Sequence, residues 1–229
     1  MRNRLSLALA SFFAMSSILS GCLKSDNTTL ALQEIGSASQ VIPTEIRDEF
    51  SSKMKIYEGN TPPDITSEFI VSENKLKYSS DGASSDGWAD AYMSFYNKQG
   101  NTYEHKTKQE SSNGVSEGYS PYVAVIGSGN DFTAYFISTE HYDDGVTWAT
   151  TSNLISGTMT ASGIKNISHA FIMLEKNDPN RKLMAVNAYR IFYDSNGLAS
   201  FTDWDKTRSY SEPEETEVEC RRSRMERID

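Results

Sequence analysis

The sequence predicts a mainly β fold, in which an antiparallel meander closes into a barrel and one short N-terminal helix precedes the strands. Three observations support this prediction. After Pro63 the chain consists of short segments rich in aromatic and β-branched residues, separated by Gly, Asn, Asp and Pro clusters about every eight to twelve residues. These clusters have the chemistry of tight turns, and both faces of several predicted strands carry bulky side chains. A β-sandwich is the alternative architecture.

The predicted helix covers residues 43–55. Ile46, Phe50 and Met54 recur every four positions between polar residues, which places them on one face of an amphipathic helix. Proline suits the first helical turn at position 43, because its missing N–H is not needed there, and the pair Pro62-Pro63 prevents the helix from continuing. We expect this helix to come before all the strands.

Strands are predicted wherever aromatic and β-branched residues cluster between two turn sequences. We expect Leu198, Phe201 and Trp204, which follow the last of these strands, to pack back onto the barrel. The predicted strands are 68–71, 76–79, 88–97, 102–109, 122–127, 132–140, 146–160, 167–176 and 187–194.

The turns between these strands are short and contain Gly or Asn, which tolerate the positive φ of tight hairpins. Neighbours in sequence are therefore expected to be neighbours in space, so the sheet should be an antiparallel meander. The turn sequences lie at 98–101, 127–130, 143–145, 177–180 and 196–197.

Apolar bulk lies on both faces of some strands. In 167–176, for example, His169 and Phe171 alternate with Ala170 and Ile172. A strand that is apolar on both faces is covered on both sides or lines a cavity. A closed barrel with a partly aromatic interior explains this pattern, and closure also removes exposed strand edges. A packed sandwich would explain it as well.

The first twenty-two residues have the order of an export signal that ends in a lipidation site. Arg2 and Arg4 precede an apolar run over 5–19, which is too short and too often interrupted by serine for a membrane-spanning helix. Residues 19–22 read Leu-Ser-Gly-Cys and resemble a bacterial lipobox, in which cleavage leaves an acylated Cys22 as the first mature residue. An ordinary secreted protein or an uncleaved anchor is the alternative.

The chain is therefore expected to have four parts. A signal peptide occupies 1–21, and the lipidated cysteine with a flexible tether occupies 22–40. The barrel domain occupies 41–204, and a charged, disordered tail occupies 205–229. This organisation places the protein in a bacterial cell envelope, most simply at the outer membrane, with its periplasmic or surface face undecided.

Composition limits the partners. The net charge of −9 argues against binding to a phosphate backbone, so we expect no nucleic acid partner. The expected partner is a membrane, held through the acyl chains on Cys22, because two or more chains anchor a protein stably. With Cys22 acylated, Cys220 has no partner within the chain, and no disulfide is expected.

Motifs for catalysis are weak. Residues 114–118 match the G-x-S-x-G pattern of hydrolases, but polar residues precede them and no helix follows, so we expect a flexible loop there. The three histidines His105, His141 and His169 have no metal-ligand spacing. The segment 194–197 contains part of a calcium-loop pattern but is expected to form an Asn-Gly hairpin. We expect no catalytic residues, no metal site, no cofactor and no enzymatic activity.

Several stretches together resemble a family of envelope lipoproteins from Bacteroidetes-like or Fibrobacter-like bacteria, over most of residues 42–204. That family usually has a glycine and an aromatic residue after the two prolines, where this chain has Ser67, Glu68 and Phe69. The departure weakens a parallel with the G-x-W opening of lipocalins, although one helix followed by a long meander is a lipocalin-like plan. The resemblance implies a fold and a location, and brings no catalytic or binding residue. It rests on Ile42-Pro43-Thr44-Glu45-Ile46, on 54–63, on 127–133, on Ile155-Ser156-Gly157-Thr158 with Ser162-Gly163-Ile164, on 171–178, and on Tyr189-Arg190 to Gly197-Leu198.

Two functions fit this reading. The first is a binding module whose barrel cavity, lined by aromatic residues such as Tyr92, Phe132 or Phe136, holds a small apolar or glycan ligand. The second is a structural or interaction lipoprotein with a filled core that makes contacts through its loops. An enzyme is the least favoured class, because no acid, base and nucleophile occur at interpretable spacing.

Overall fold

The computed structural model describes residues 41–42, 44–84, 88–111 and 114–203. The predicted signal peptide, the lipidation site at Cys22, the tether up to residue 40, Cys220 and the charged tail at 205–229 lie outside the described residues, as does Trp204.

The described chain has one helix, α1, at Thr44–Lys53, which is shorter than predicted and is followed by strands. The strands are β1 Asn60–Thr61, β2 Ser67–Val71, β3 Asn74–Ser79, β4 Ala91–Gln99, β5 Thr102–Ser111, β6 Gly114–Ser128, β7 Asp131–Tyr142, β8 Trp148–Thr160, β9 Gly163–Asn177, β10 Tyr189–Asp194 and β11 Leu198–Phe201.

The strands form one sheet that closes into a ring and is antiparallel except where β1 pairs in parallel with β6, which confirms the predicted meander. From β4 to β10 each strand pairs with the next one in sequence. Strands β10 and β11 follow one another along β9, and they pair on their other side with β3 and β2. Strands β2 and β3 together occupy one position of the ring, and β10 and β11 together occupy another. With β4 to β9 at one position each, the ring has eight strand positions. The continuous pairing excludes two separate sheets packed as a sandwich.

One end of the ring, here called the closed end, is filled with apolar side chains. At this end β4 leads into β5 and β8 leads into β9. Burial of each large apolar side chain contributes about 1.5–3 kcal/mol, so this cluster is a main source of stability. Its largest members are Ile65, Phe69, Met93, Phe95, Tyr103, Phe132, Phe136, Ile155, Ile164 and Ile167.

Helix α1 and residues 41–42 cover part of the outside of the ring. Phe50 and Ile42 are fully buried against Tyr135, Leu154 and Ile191 on the outer face of β7, β8 and β10. This second cluster explains why the strands carry bulk on both faces: one face fills the ring, and the other lies under the helix.

Two local predictions were wrong. Residues 114–118 are not a flexible loop but the start of β6, because β5 and β7 pair with them on both sides. Gly118 is required there, since a Cβ would lie 2.6 Å from Thr107 Cγ2 and 2.9 Å from Glu140 Cγ. Residues 196–197 do not form a hairpin either: they interrupt one long strand between β10 and β11. Phe201 does pack back, with its ring 5.3 Å from that of Phe69.

Candidate functional site

The other end of the ring, the open end, contains a cavity of about 730 Å³. Here β5 turns into β6, β7 turns into β8, and a longer loop, the rim loop at 178–188, joins β9 to β10. Strand β4 begins opposite the last residue of β2. Strand β3, which continues from β2 toward the open end, therefore pairs with β10 on one side but not with β4 on the other. Ser84, Trp88 and Ala89, from the segment between β3 and β4, line the cavity at this gap. A volume of this size suits a small molecule.

An aromatic wall stands beside this gap. The rings of Phe171 and Phe192 are stacked with centroids 5.8 Å apart and an interplanar angle of 2°, and Trp88 meets Phe192 edge-on at 4.8 Å. The Arg190 guanidinium lies 5.1 Å from the Trp88 ring centre and pairs with Asp81 at 2.6 Å. The ion pair and cation–π contact hold Trp88 over the cavity.

Asp178 organises the rim loop. Its carboxylate accepts hydrogen bonds from the backbone N–H groups of Lys182 at 2.8 Å and Leu183 at 2.9 Å, and from Lys176 Nζ at 3.0 Å. The side chain of Asp178 is 1 % exposed. Lys182, Leu183 and Met184 then line the cavity. A buried carboxylate with three donors fixes this part of the rim.

His105 lies at the bottom of the cavity, next to the apolar cluster of the closed end. Its ring centre is 4.6 Å from Phe95 and 4.7 Å from Phe136, and the residue is 2 % exposed. Nδ1 lies 3.0 Å from the carbonyl oxygen of Ser94. A carbonyl oxygen only accepts, so Nδ1 carries the proton and Nε2 is left as an acceptor.

His169, on β9, belongs to a network with three polar residues of β7 and β8. Asn153 Nδ2 donates to the carbonyl oxygen of Thr151 at 3.0 Å and contacts the hydroxyls of Thr151 and Ser138 at 2.9 Å. The amide oxygen of Asn153 must therefore accept from His169 Nε2, at 3.0 Å. This hydrogen bond fixes the tautomer of His169 and leaves Nδ1 as an acceptor.

Burial keeps both imidazoles neutral. It lowers the pKa of His105 to about 3, with a further contribution from the nearby His169, and it lowers the pKa of His169 to about 4. The floor of the cavity is therefore uncharged at physiological pH. It presents imidazole nitrogens, hydroxyls and an amide.

Glu140 and Tyr142 lie on the cavity-facing side of β7, near the open end. Burial raises the pKa of the Glu140 carboxyl to about 7, although a hydrogen bond with Tyr142 opposes the shift. Burial also raises the pKa of Tyr142. The absent side chain of Gly118 makes room for Glu140, whose Cγ lies over that glycine. Near neutral pH this carboxyl is divided between its neutral and charged forms.

One buried polar atom in the cavity wall has no partner among the described residues. It is Oδ2 of Asp194, a cavity-lining residue that is 3 % exposed. The other oxygen, Oδ1, accepts from the backbone N–H of Asn196 at 3.0 Å. Burial raises the pKa of the Asp194 carboxyl, which favours a proton on this unsatisfied group.

Of the three aromatic residues predicted to line a cavity, only Phe136 does so. Phe132 lies in the cluster of the closed end, and Tyr92 is absent from the cavity lining because it alternates with the inward-facing Ala91 and Met93. His169, for which the sequence gives no metal-ligand spacing, lies in the cavity wall.

The polar floor of the cavity is not among the features predicted from the sequence. Ser138, Thr151 and Asn153 occupy inward positions of strands that were predicted. A signal was present: residues 150–153 of the predicted strand 146–160 are four consecutive polar residues, so the inward face of this strand had to carry polar side chains.

Neither a group of metal-ligating side chains nor a membrane-spanning helix occurs among the described residues. Within 41–42, 44–84, 88–111 and 114–203, no three His, Cys, Asp or Glu side chains are grouped so as to hold a metal ion. Over the same ranges, no helix combines the length and apolar character needed to cross a bilayer. No protein-family model, curated protein or solved structure matches this chain.

Proposed function

We propose that this protein is a lipid-anchored envelope protein that binds a small molecule in the open end of its ring, without catalysis. The observation that carries the proposal is the cavity of about 730 Å³, with an aromatic wall and an uncharged polar floor. An interior shaped only by stability would continue the apolar packing of the closed end, because cavities cost stability.

The anchor in this proposal comes from the sequence. The lipobox-like residues at 19–22 supply the acylated Cys22, and the resemblance to envelope lipoproteins supports the same location. The body would then be held at a membrane of the bacterial envelope.

The alternative is a structural or interaction lipoprotein. Exposed apolar side chains near the open end favour it: Val146, in the turn between β7 and β8, is 51 % exposed, and Val186, in the rim loop, is 46 % exposed. Isolated apolar residues are common on protein surfaces, whereas a cavity with fixed polar groups is not. Ligand binding is therefore the preferred function.

Native mass spectrometry of the full chain, purified from its own host, tests the proposal. The variant Ser116→Trp places a large ring at a cavity-lining position of β6, and Glu117→Trp places the same ring on the opposite face of the strand. We expect a bound small molecule on the wild type and on Glu117→Trp, and its loss from Ser116→Trp. If each of the three proteins shows only its own ligand-free mass, the result would count against binding.

A further inference from the structure

Two imidazole nitrogens in the cavity are acceptors in need of a donor. His105 Nδ1–H donates a hydrogen bond to the carbonyl oxygen of Ser94, and His169 Nε2–H donates one to the amide oxygen of Asn153. Nε2 of His105 and Nδ1 of His169 therefore carry lone pairs, and the structure shows no donor for either among the described residues. Strands β5 and β9, which carry the two residues, are four positions apart in the ring of eight, so the histidines extend from opposite walls.

A purely apolar ligand fits this floor poorly. It would remove both nitrogens, together with the surrounding hydroxyls, from any contact with water without offering a donor. Each buried polar group left without a partner costs about 1–3 kcal/mol. A ligand with O–H groups satisfies the same atoms and gains binding energy from them.

An anionic ligand fits less well too. Both imidazoles are neutral at physiological pH, so the floor offers no positive charge to an anion. Arg190, near the mouth, is already paired with Asp81. A buried charge without a partner is far more costly than a buried hydroxyl.

Given the proposed binding function, on which this inference rests, we propose that the ligand is a neutral saccharide of one or two rings. Its hydroxyls donate to His105 Nε2 and His169 Nδ1. Its C–H faces pack on the aromatic wall of Phe171, Phe192 and Trp88, and the cavity has ample volume for it. The hydroxyls of Ser138 and Thr151 lie beside the same floor.

Ligand-observed NMR with the full chain, in a detergent without a sugar headgroup, tests this proposal. The probes are glucose, galactose, mannose, N-acetylglucosamine, maltose and cellobiose at millimolar concentration, with the apolar dye N-phenyl-1-naphthylamine as a separate probe of the cavity. The variant His169→Phe removes the Nδ1 acceptor, together with the Nε2–H donor to Asn153, and keeps a planar ring. His141→Phe, the same change at an exposed position of β7 outside the cavity lining, is the matched control.

We expect at least one saccharide to bind the wild type and His141→Phe with equal affinity, and to bind His169→Phe about tenfold more weakly, which corresponds to the loss of one hydrogen bond. The dye should still bind His169→Phe, which also shows that this variant is folded. Dye binding to the wild type without saccharide binding would overturn the ligand class and leave the proposed function standing. Binding of neither probe would overturn both, and equal saccharide affinity in wild type and His169→Phe would overturn the role of the histidine.

Discussion

The carboxyl of Glu140 should make the stability of the fold depend on pH, and replacing it by the amide of glutamine should remove this contribution. Burial raises the pKa of this group from 4.5 to about 7 in the folded chain. Between these values the folded state holds the proton more tightly than the unfolded state, so this group makes stability fall as pH rises from about 4.5 to about 7. Each pKa unit corresponds to about 1.4 kcal/mol, so the penalty above pH 7 is about 3 kcal/mol at most.

The two cavity histidines act in the opposite direction. Their pKa values are lowered to about 3 and about 4, from 6.5 in the unfolded chain. The unfolded state therefore binds more protons below about pH 6.5, and these groups make stability fall as pH drops below that value. The contribution of Glu140 and that of the histidines overlap in pH. The contribution of Glu140 must therefore be measured as the difference in free energy of unfolding between the wild type and a variant.

The variant Glu140→Gln keeps the shape of the side chain and cannot ionise. We expect its free energy of unfolding to approach that of the wild type near pH 4.5 and to exceed it by up to about 3 kcal/mol near pH 8. Urea unfolding followed by far-UV circular dichroism across this range measures the difference. Glu175→Gln, at an exposed position of β9, is the matched control. A difference between Glu140→Gln and wild type that stays constant across the range would refute the burial of this carboxyl.

Three further predictions concern the ring, its rim and its anchor. In urea unfolding, Gly163→Ala should lower the free energy of unfolding by about 2 kcal/mol or more beyond the loss caused by Gly129→Ala. The new Cβ at position 163 would overlap the Ala199 carbonyl oxygen where β9 meets β11, whereas a Cβ at position 129 has open space. Equal losses for the two variants would contradict closure of the ring at this point. Asp178→Ala should speed limited proteolysis within 178–188 while leaving the circular dichroism spectrum unchanged, and an unchanged cleavage rate would show that the carboxylate does not hold the loop. Cys22→Ala should shift the protein from the membrane to the soluble fraction after carbonate extraction, and full retention in the membrane would rule out acylation as the anchor.

The fold could be read from the sequence because its signals are local. Alternating apolar residues and turn clusters such as 127–130 specify hairpins directly, and a series of hairpins specifies a meander. Ring closure was favoured by bulk on both strand faces. The contacts that close it, between β11 and both β2 and β9, join residues far apart in the sequence. Sequence periodicity carries no information on such pairs.

Prediction of the site was less successful for the same reason. Nothing near His105 or His169 in the sequence shows that they face one cavity, since β5 and β9 lie on opposite sides of the ring. A loop is predicted at 114–118 because polar residues precede this segment and no helix follows it. Its glycines and polar residues also have low strand propensity. Pairing on both sides and the need for space beside Glu140 override that propensity.

The methionines provide the most direct test of the central claim, that the open end of the ring is a binding cavity. Met93, Met173 and Met184 line the cavity, whereas Met54 packs under helix α1 and Met159 packs against the closed end. With ¹³C-methyl-labelled methionine, addition of a bound saccharide or of N-phenyl-1-naphthylamine should shift the signals of the first three and leave the other two in place. Shifts confined to Met54 or Met159, or none at all with either probe, would contradict the account.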